Sequence, residues 1–216
     1  MFLGARSTLF VDRKDAGQKL AKALAHILPQ RDNIVVLALP RGGVPVACEV
    51  RKIGAPGHEE YGIGAVVEGN PPELVMNDEA VRITRPSEAY VQQQMQKQLK
   101  EMERQRKTYL GDKPPVSLEG RIAIVVDDGI ATGGTARVAL KALRQKNVSR
   151  AILASPVAPS DTLAELRAEG NEVLCLETPP NFSAVGLHYQ RFDQTSDEEV
   201  IRCMEKAKNW SESRKN

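Results

Sequence analysis

Four short, nearly unbroken apolar runs, at residues 34–39, 121–126, 151–158 and 172–176, restrict the folds open to this chain. A strand with one face in water alternates apolar and polar residues, whereas a strand covered on both faces is aliphatic throughout. Helical patterns separate the runs. Over residues 12–28, Ala16, Leu20, Ala23, Leu24, Ile27 and Leu28 recur at helical spacing, Asp12 can cap the start and Pro29 ends it. Residues 132–145, 160–168 and 196–210 are also expected to be helical, the last with a capping box from Ser196 and Glu199. Strands alternating with helices predict an α/β fold: a mostly parallel sheet flanked by helices. Pro156 is expected to interrupt the 151–158 strand, and further short strands are expected at 64–68 and 189–192.

The 216 residues suffice for one domain with a sizeable core, and residues 1–216 are expected to form a single unit. A helix-and-loop insertion is expected at about 57–115. Within it, residues 87–110 predict a long solvated helix whose thin stripe at 91, 95, 99 and 102 could serve a homodimer contact. With a formal charge of +2, no large basic field points to nucleic acid. Three cysteines, far apart and without a C-x-x-C pair, argue against a disulfide framework or a zinc site. No run approaches the ~18 apolar residues of a membrane span, and the start lacks a signal-peptide core, so a cytoplasmic location is expected.

The chemistry concentrates where the 121–126 run ends. It delivers the chain to two adjacent carboxylates, Asp127 and Asp128, followed by Gly129, Ile130, Ala131, Thr132, Gly133, Gly134 and Thr135, and then a helix. In an open α/β sheet, ligands bind beyond the carboxyl ends of the strands. Small residues at a helix N-terminus let backbone amides approach an anion closely, and the two threonines add hydroxyl donors. The carboxylates would repel that anion but can accept hydrogen bonds from hydroxyl groups one sugar away. Acids on one side and an amide cradle on the other match a ribose 5-phosphate. An ordinary strand-to-helix turn would explain two surface aspartates, but not this order of Asp, Asp, Gly, Thr and Gly. An earlier turn repeats the logic: Pro40, Arg41, Gly42 and Gly43 follow the 34–39 run, with exposed amides and a guanidinium suited to phosphate.

These two segments resemble the signature of the type I phosphoribosyltransferase family, in particular a bacterial branch of it. The resemblance continues through Asp12, Arg13, Ala16 and Gly17 near the start, and through 179–186 and 189–192 near the end. It implies a small hood over the site. It implies further that Asp127 and Asp128 face the ribose hydroxyls, the 129–135 loop holds the 5-phosphate, and Arg41, Gly42 and Gly43 hold the diphosphate of phosphoribosyl pyrophosphate. Arg51 and Lys52 match a basic pair that ends the second core strand and points at the same diphosphate. The implied reaction is phosphoribosyl transfer to a small nitrogenous, nucleobase-like acceptor, with Mg²⁺ bound mainly through the substrate. The resemblance also places a mobile covering loop around His58, Glu59, Glu60 and Tyr61, the acceptor near 179–186, and a proton acceptor at Asp128.

One stretch departs from that pattern. From Leu39 to Arg51 there are too few residues for a turn, a full helix and a return strand. The sequence predicts a shortened β2 region that deletes a sheet strand and leaves an exposed edge, which puts the roles of Arg51 and Lys52 in question. A catalytically impaired protein that still binds phosphoribosyl pyrophosphate or a nucleotide is therefore the alternative. A nucleoside triphosphatase is disfavoured because the 129–135 loop lacks the Lys-Ser/Thr ending of a P-loop. A dinucleotide dehydrogenase is disfavoured because Gly62-x-Gly64 has no third glycine and helix. No Gly-x-Ser-x-Gly segment suggests a serine hydrolase.

Overall fold

The structure, a computed structural model, describes residues 8–28, 33–53, 62–63, 87–112 and 116–212. The expected strand at 64–68 and the covering loop with His58, Glu59, Glu60 and Tyr61 lie outside these residues.

The chain begins with α1 (Arg13–Ile27), where the Asp12 carboxylate accepts the Asp15 amide at 2.9 Å and caps the first turn. There follow β1 (Ile34–Ala38), α2 (Gly43–Ile53), β2 (Gly62–Ile63), α3 (Glu88–Leu110), β3 (Ile122–Val126) and α4 (Gly134–Gln145). The chain continues with β4 (Arg150–Val157), α5 (Ser160–Ala168) and β5 (Glu172–Glu177). A 3₁₀ turn, Val185–His188, then leads to α6 (Asp197–Glu212). The Ser196 hydroxyl accepts the Glu199 amide at 3.2 Å, which supplies the expected cap of α6.

The strands form one parallel sheet in the order β2-β1-β3-β4-β5. Both faces are covered, which is why the runs carry no polar alternation. Ala38, Ile124, Val126, Ile152 and Ala154 point to one face and pack with Leu20, Leu24, Val46 and Val50 of α1 and α2 and with Val200 of α6. Val35, Leu37, Ala123, Val125 and Leu153 point to the other and pack with Ala139, Leu140 and Leu143 of α4 and with Leu163 and Leu166 of α5. The chain moves outward from β1 to β2, then crosses back to lay β3 on the other side of β1. The helices that follow β1 and β3 therefore lie on opposite faces, and a crevice opens between the two strand ends.

A third, aromatic cluster caps the carboxyl end of β4. Phe10, Ala16, Val157 and Tyr189 are buried there, with Phe182, Val185 and Phe192 packed against them. This small lobe sits where the hood was expected.

Three local expectations are corrected. The β2 region is short, as expected, but it keeps a strand rather than losing it: Gly62 and Ile63 pair in parallel with Leu37 and Ala38, and an edge strand can be this short. Pro156 does not interrupt β4. It lies beyond Ala154, the last β4 residue paired with β3, so the missing N–H removes no ladder bond there. Residues 189–192 form no strand, only a single bridge between Phe10 and Tyr189, because the aromatic side chains of this stretch are committed to the cap. In α3, the side chains of Val91, Met95 and Met102, three of the four stripe positions, lie outside the described residues.

Candidate functional site

The turn after β1 and the turn after β3 meet in the crevice. The Leu39 amide donates to the Val126 carbonyl at 2.9 Å, one rung past the end of the β1–β3 ladder. The Pro40–Arg41 peptide is cis. Gly42 lies directly on Asp128: a Cβ there would sit 2.0 Å from the carboxylate Oδ2. A Cβ on Gly43 would sit 2.5 Å from the Val126 carbonyl oxygen. Only glycine allows the expected diphosphate turn to approach the acidic pair this closely.

The two acids are not equivalent. Asp128 accepts Arg13 Nε on Oδ2 at 2.7 Å, and its backbone carbonyl accepts the Tyr189 hydroxyl at 2.5 Å. Asp127 accepts the Asp128 amide on Oδ1 at 2.9 Å. Burial first, and the Asp128 charge beside it second, push the Asp127 carboxyl well above the usual carboxylate range, against the pull of the Asp128 amide. Burial, followed by the Asp128 charge, also raises the Tyr189 phenol, so Tyr189 is a neutral donor.

Beyond the acids, Gly129 packs under Val185, whose Cγ1 would lie 2.2 Å from a Cβ. Ile130 is buried and donates its amide to the Val157 carbonyl at 2.9 Å. The next carbonyls are held back: Thr162 Oγ1 donates to Ala131 O at 2.9 Å and Arg137 Nη1 to Thr132 O at 2.9 Å. A planar trans peptide points its N–H opposite its C=O, so these braces turn the Thr132 amide away from Thr162 of α5 and the Gly133 amide away from the Arg137 guanidinium of α4. Gly133 takes a left-handed conformation (φ 75°), and Gly134 opens α4. The amides of a helix's first turn have no intrahelical acceptors and sit at its positive end. Ala131, Thr132 and Thr135 are exposed, so this loop of amides and hydroxyls faces solvent.

Arg41 stands on the same turn as Gly42, with its guanidinium 3.5 Å from the Asp197 carboxylate at the start of α6. Asp197 also accepts Arg104 at 2.7 Å and the Tyr109 hydroxyl at 2.5 Å, both from α3. Arg104 first and Tyr109 second hold the Asp197 carboxyl down to about 2, while burial first and Asp197 second push Tyr109 up to about 12. Arg51 and Lys52 do not end a strand. They belong to the last turn of α2, whose first turn lies at the crevice, about 13 Å along the axis at 1.5 Å per residue. The expected basic pair is corrected on this point: α2 runs on through both residues, so they end a helix and not a strand.

Residues 10–191 match the family model described as the phosphoribosyl transferase domain. The chain belongs to the phosphoribosyl transferase family. It is 41% identical over 212 residues to two Mycobacterium tuberculosis proteins provisionally named phosphoribosyl transferases, one from strain CDC 1551 and one from strain H37Rv. That similarity covers 92% of this chain but 47% of each relative, so the chain spans about half the length of the proteins it matches. A protein of known crystal structure from Thermus thermophilus is 32% identical, with a TM-score of 0.67, over 90% of this chain and 97% of that one.

Within this phosphoribosyl transferase fold, Gly42, Gly43, Asp127, Asp128 and the 129–135 loop gather at one crevice, with Arg41 at its margin and Arg51 and Lys52 away from it. Sequence reading assigned no role to Arg13, Arg137, Thr162 or Asp197. Arg13 follows a helix cap and Arg137 sits inside a helix, positions where arginines ordinarily face water. Their partners lie 115 and 28–32 residues away, so nothing local marked them.

Proposed function

We propose that this chain binds 5-phosphoribosyl 1-pyrophosphate and transfers the phosphoribosyl group to a small nitrogenous, nucleobase-like acceptor, releasing pyrophosphate. The observation that carries this is the seat of Gly42 on the Asp128 carboxylate. It brings the Gly42–Gly43 turn against the acidic pair, with the 129–135 loop next in the chain, which supports this reading. In that frame the 129–135 loop takes the 5-phosphate through the amides of Thr132 to Thr135 and the two threonine hydroxyls. Asp127 and Asp128 accept hydrogen bonds from the ribose hydroxyls, and Arg41 with Gly42 and Gly43 takes the diphosphate.

Displacement at the anomeric carbon passes through an oxocarbenium-like state, in which the bond to pyrophosphate breaks as the bond to nitrogen forms. The chain's part is to fix the sugar between acids and amides and to hold the departing diphosphate. Among the described residues, no group of three His, Cys, Asp or Glu side chains gathers to hold a metal ion. An Mg²⁺ would be carried by the substrate's oxygens and water, with Asp127 or Asp128 as the nearby protein oxygens. When bound, the ion would neutralise diphosphate charge and ease its departure. The acceptor would approach beside Val185, which already lies on Gly129. A proton released by the acceptor would pass to the acidic pair.

The position of Arg51 and Lys52 at the far end of α2 favours a second reading, a protein that binds the donor without turnover. A thermal-shift titration with phosphoribosyl pyrophosphate and Mg²⁺, followed by a pyrophosphate-release assay across purines, pyrimidines and simple amines, separates the two. The transferase predicts both a shift and release. A shift without release supports the binding protein, and a flat melt removes both.

A further inference from the structure

The side chain of Arg13 is held from three directions at the acidic pair. Its Nε donates to Asp128 Oδ2 at 2.7 Å, and its Nη1 donates to the Asp193 carbonyl at 2.6 Å. Its guanidinium carbon lies 3.9 Å from the centre of the Phe192 ring. Phe192 is itself fixed, since its ring lies 5.0 Å from that of Tyr189, and a Cβ on Gly186 would come within 2.8 Å of it. Arg13 and Asp128 each keep only 13% of their side-chain surface in water, so the pair is shielded enough for the contact to be strong. This pairing uses features that lysine lacks: a flat face for stacking and a fork that serves two acceptors at once.

From this geometry we propose that Arg13 is a positioning residue for the sugar. It locks one oxygen of Asp128 so that the other is presented to a ribose hydroxyl, and it links the aromatic hood to the donor site. The inference rests on the donor site proposed above. An exposed ion pair would swing with its side chains, but here the guanidinium is braced by a ring and a backbone carbonyl. The Oδ2 that Arg13 holds is also the oxygen seated against Gly42, 2.0 Å from where a Cβ would stand. Both contacts fall on one oxygen of the acid, which leaves Oδ1 as the oxygen for the sugar. Among the described contacts, Arg13 makes none with the Gly129–Thr135 loop.

That separation makes the proposal testable with two ligands. Ribose 5-phosphate uses both the acids and the amide loop, whereas inorganic phosphate has no hydroxyl groups of a sugar to offer the acids. Calorimetric affinities for both should be measured on the wild type, R13Q and R13K, alongside a thermal melt. The expected result is a ribose 5-phosphate affinity about tenfold or more weaker in R13Q, intermediate in R13K, and an unchanged affinity for inorganic phosphate in both. Equal weakening of the two ligands would make Arg13 merely structural, and no change in either would remove its role. Both outcomes overturn the inference. If R13Q does not fold, R13K alone decides, because it keeps the charge and loses the fork. A wild type that binds inorganic phosphate but not ribose 5-phosphate would instead overturn the donor site itself.

Discussion

At the residue scale, the site depends on contacts that single atoms would break. Gly42→Ala would place a methyl group 2.0 Å from Asp128 Oδ2, a distance at which either the turn or the acid must move. The expected outcome is a loss of phosphoribosyl pyrophosphate affinity of about tenfold or more, with a destabilisation of about 1–3 kcal/mol for the overpacking, read by calorimetry and urea denaturation. Asp127 makes a different prediction. Its folded-state carboxyl is raised well above 3.8, so the folded protein holds that proton more tightly than the unfolded chain does. Its contribution to stability is therefore fully present below pH 3.8 and lost as pH rises through the folded value. Asp127→Asn removes the acid and should raise the melting temperature at pH 7–8. The gain should shrink as the pH falls toward 4, while affinity for ribose 5-phosphate is lost. A gain that grew on acidification would contradict the raised carboxyl.

At the scale of elements, the crevice is held by helices that approach closely. Gly17 in α1 meets α2 so tightly that a Cβ would stand 2.7 Å from the Val46 carbonyl oxygen and 2.8 Å from Glu49 Cβ. α2 begins with the Gly42–Gly43 turn, so spreading the two helices would shift that turn against Asp128. Gly17→Val should cost about 1–3 kcal/mol of stability and weaken donor binding as well, measured by denaturation and calorimetry. A variant as stable as the wild type would show that the helices can separate freely. α4 and α5 are tied differently, through Arg137, which reaches Glu165 at 2.8 Å, Glu169 at 2.6 Å and the Thr132 carbonyl at 2.9 Å. One side chain thus fastens the amide loop to a helix on the far side of the turn. Likewise Asp197 brings Arg41, Arg104 and Tyr109 together, so the Arg41–Gly43 turn is coupled to α3 and α6.

At the scale of the whole molecule, a ligand spanning the crevice would bridge β1, β3, α2 and α4, and so should raise the stability of the fold as a unit. With phosphoribosyl pyrophosphate at 100 times its Kd, binding to the folded state alone adds about 2.7 kcal/mol. For a chain of this length that corresponds to a melting shift of about 5–10 °C, rising with the logarithm of ligand concentration. A shift that saturates at low concentration without further rise would contradict simple mass action at one site.

The parallel sheet, the helices at both termini, the acidic pair and the amide loop were all legible in the sequence. Each is written in adjacent residues: continuous aliphatic runs, helical periodicity, and Asp–Asp followed by glycine and threonine. Tertiary structure decided what depends on distant segments. It kept β4 whole through Pro156 because β3 had already ended. It placed Arg51 and Lys52 in a helix because α2 ran on through them, and it brought Arg13 from the first helix onto Asp128. Local spacing records the propensity of a stretch of backbone, but which long side chain reaches which acid is set only once the helices have packed and the hood has closed over β4.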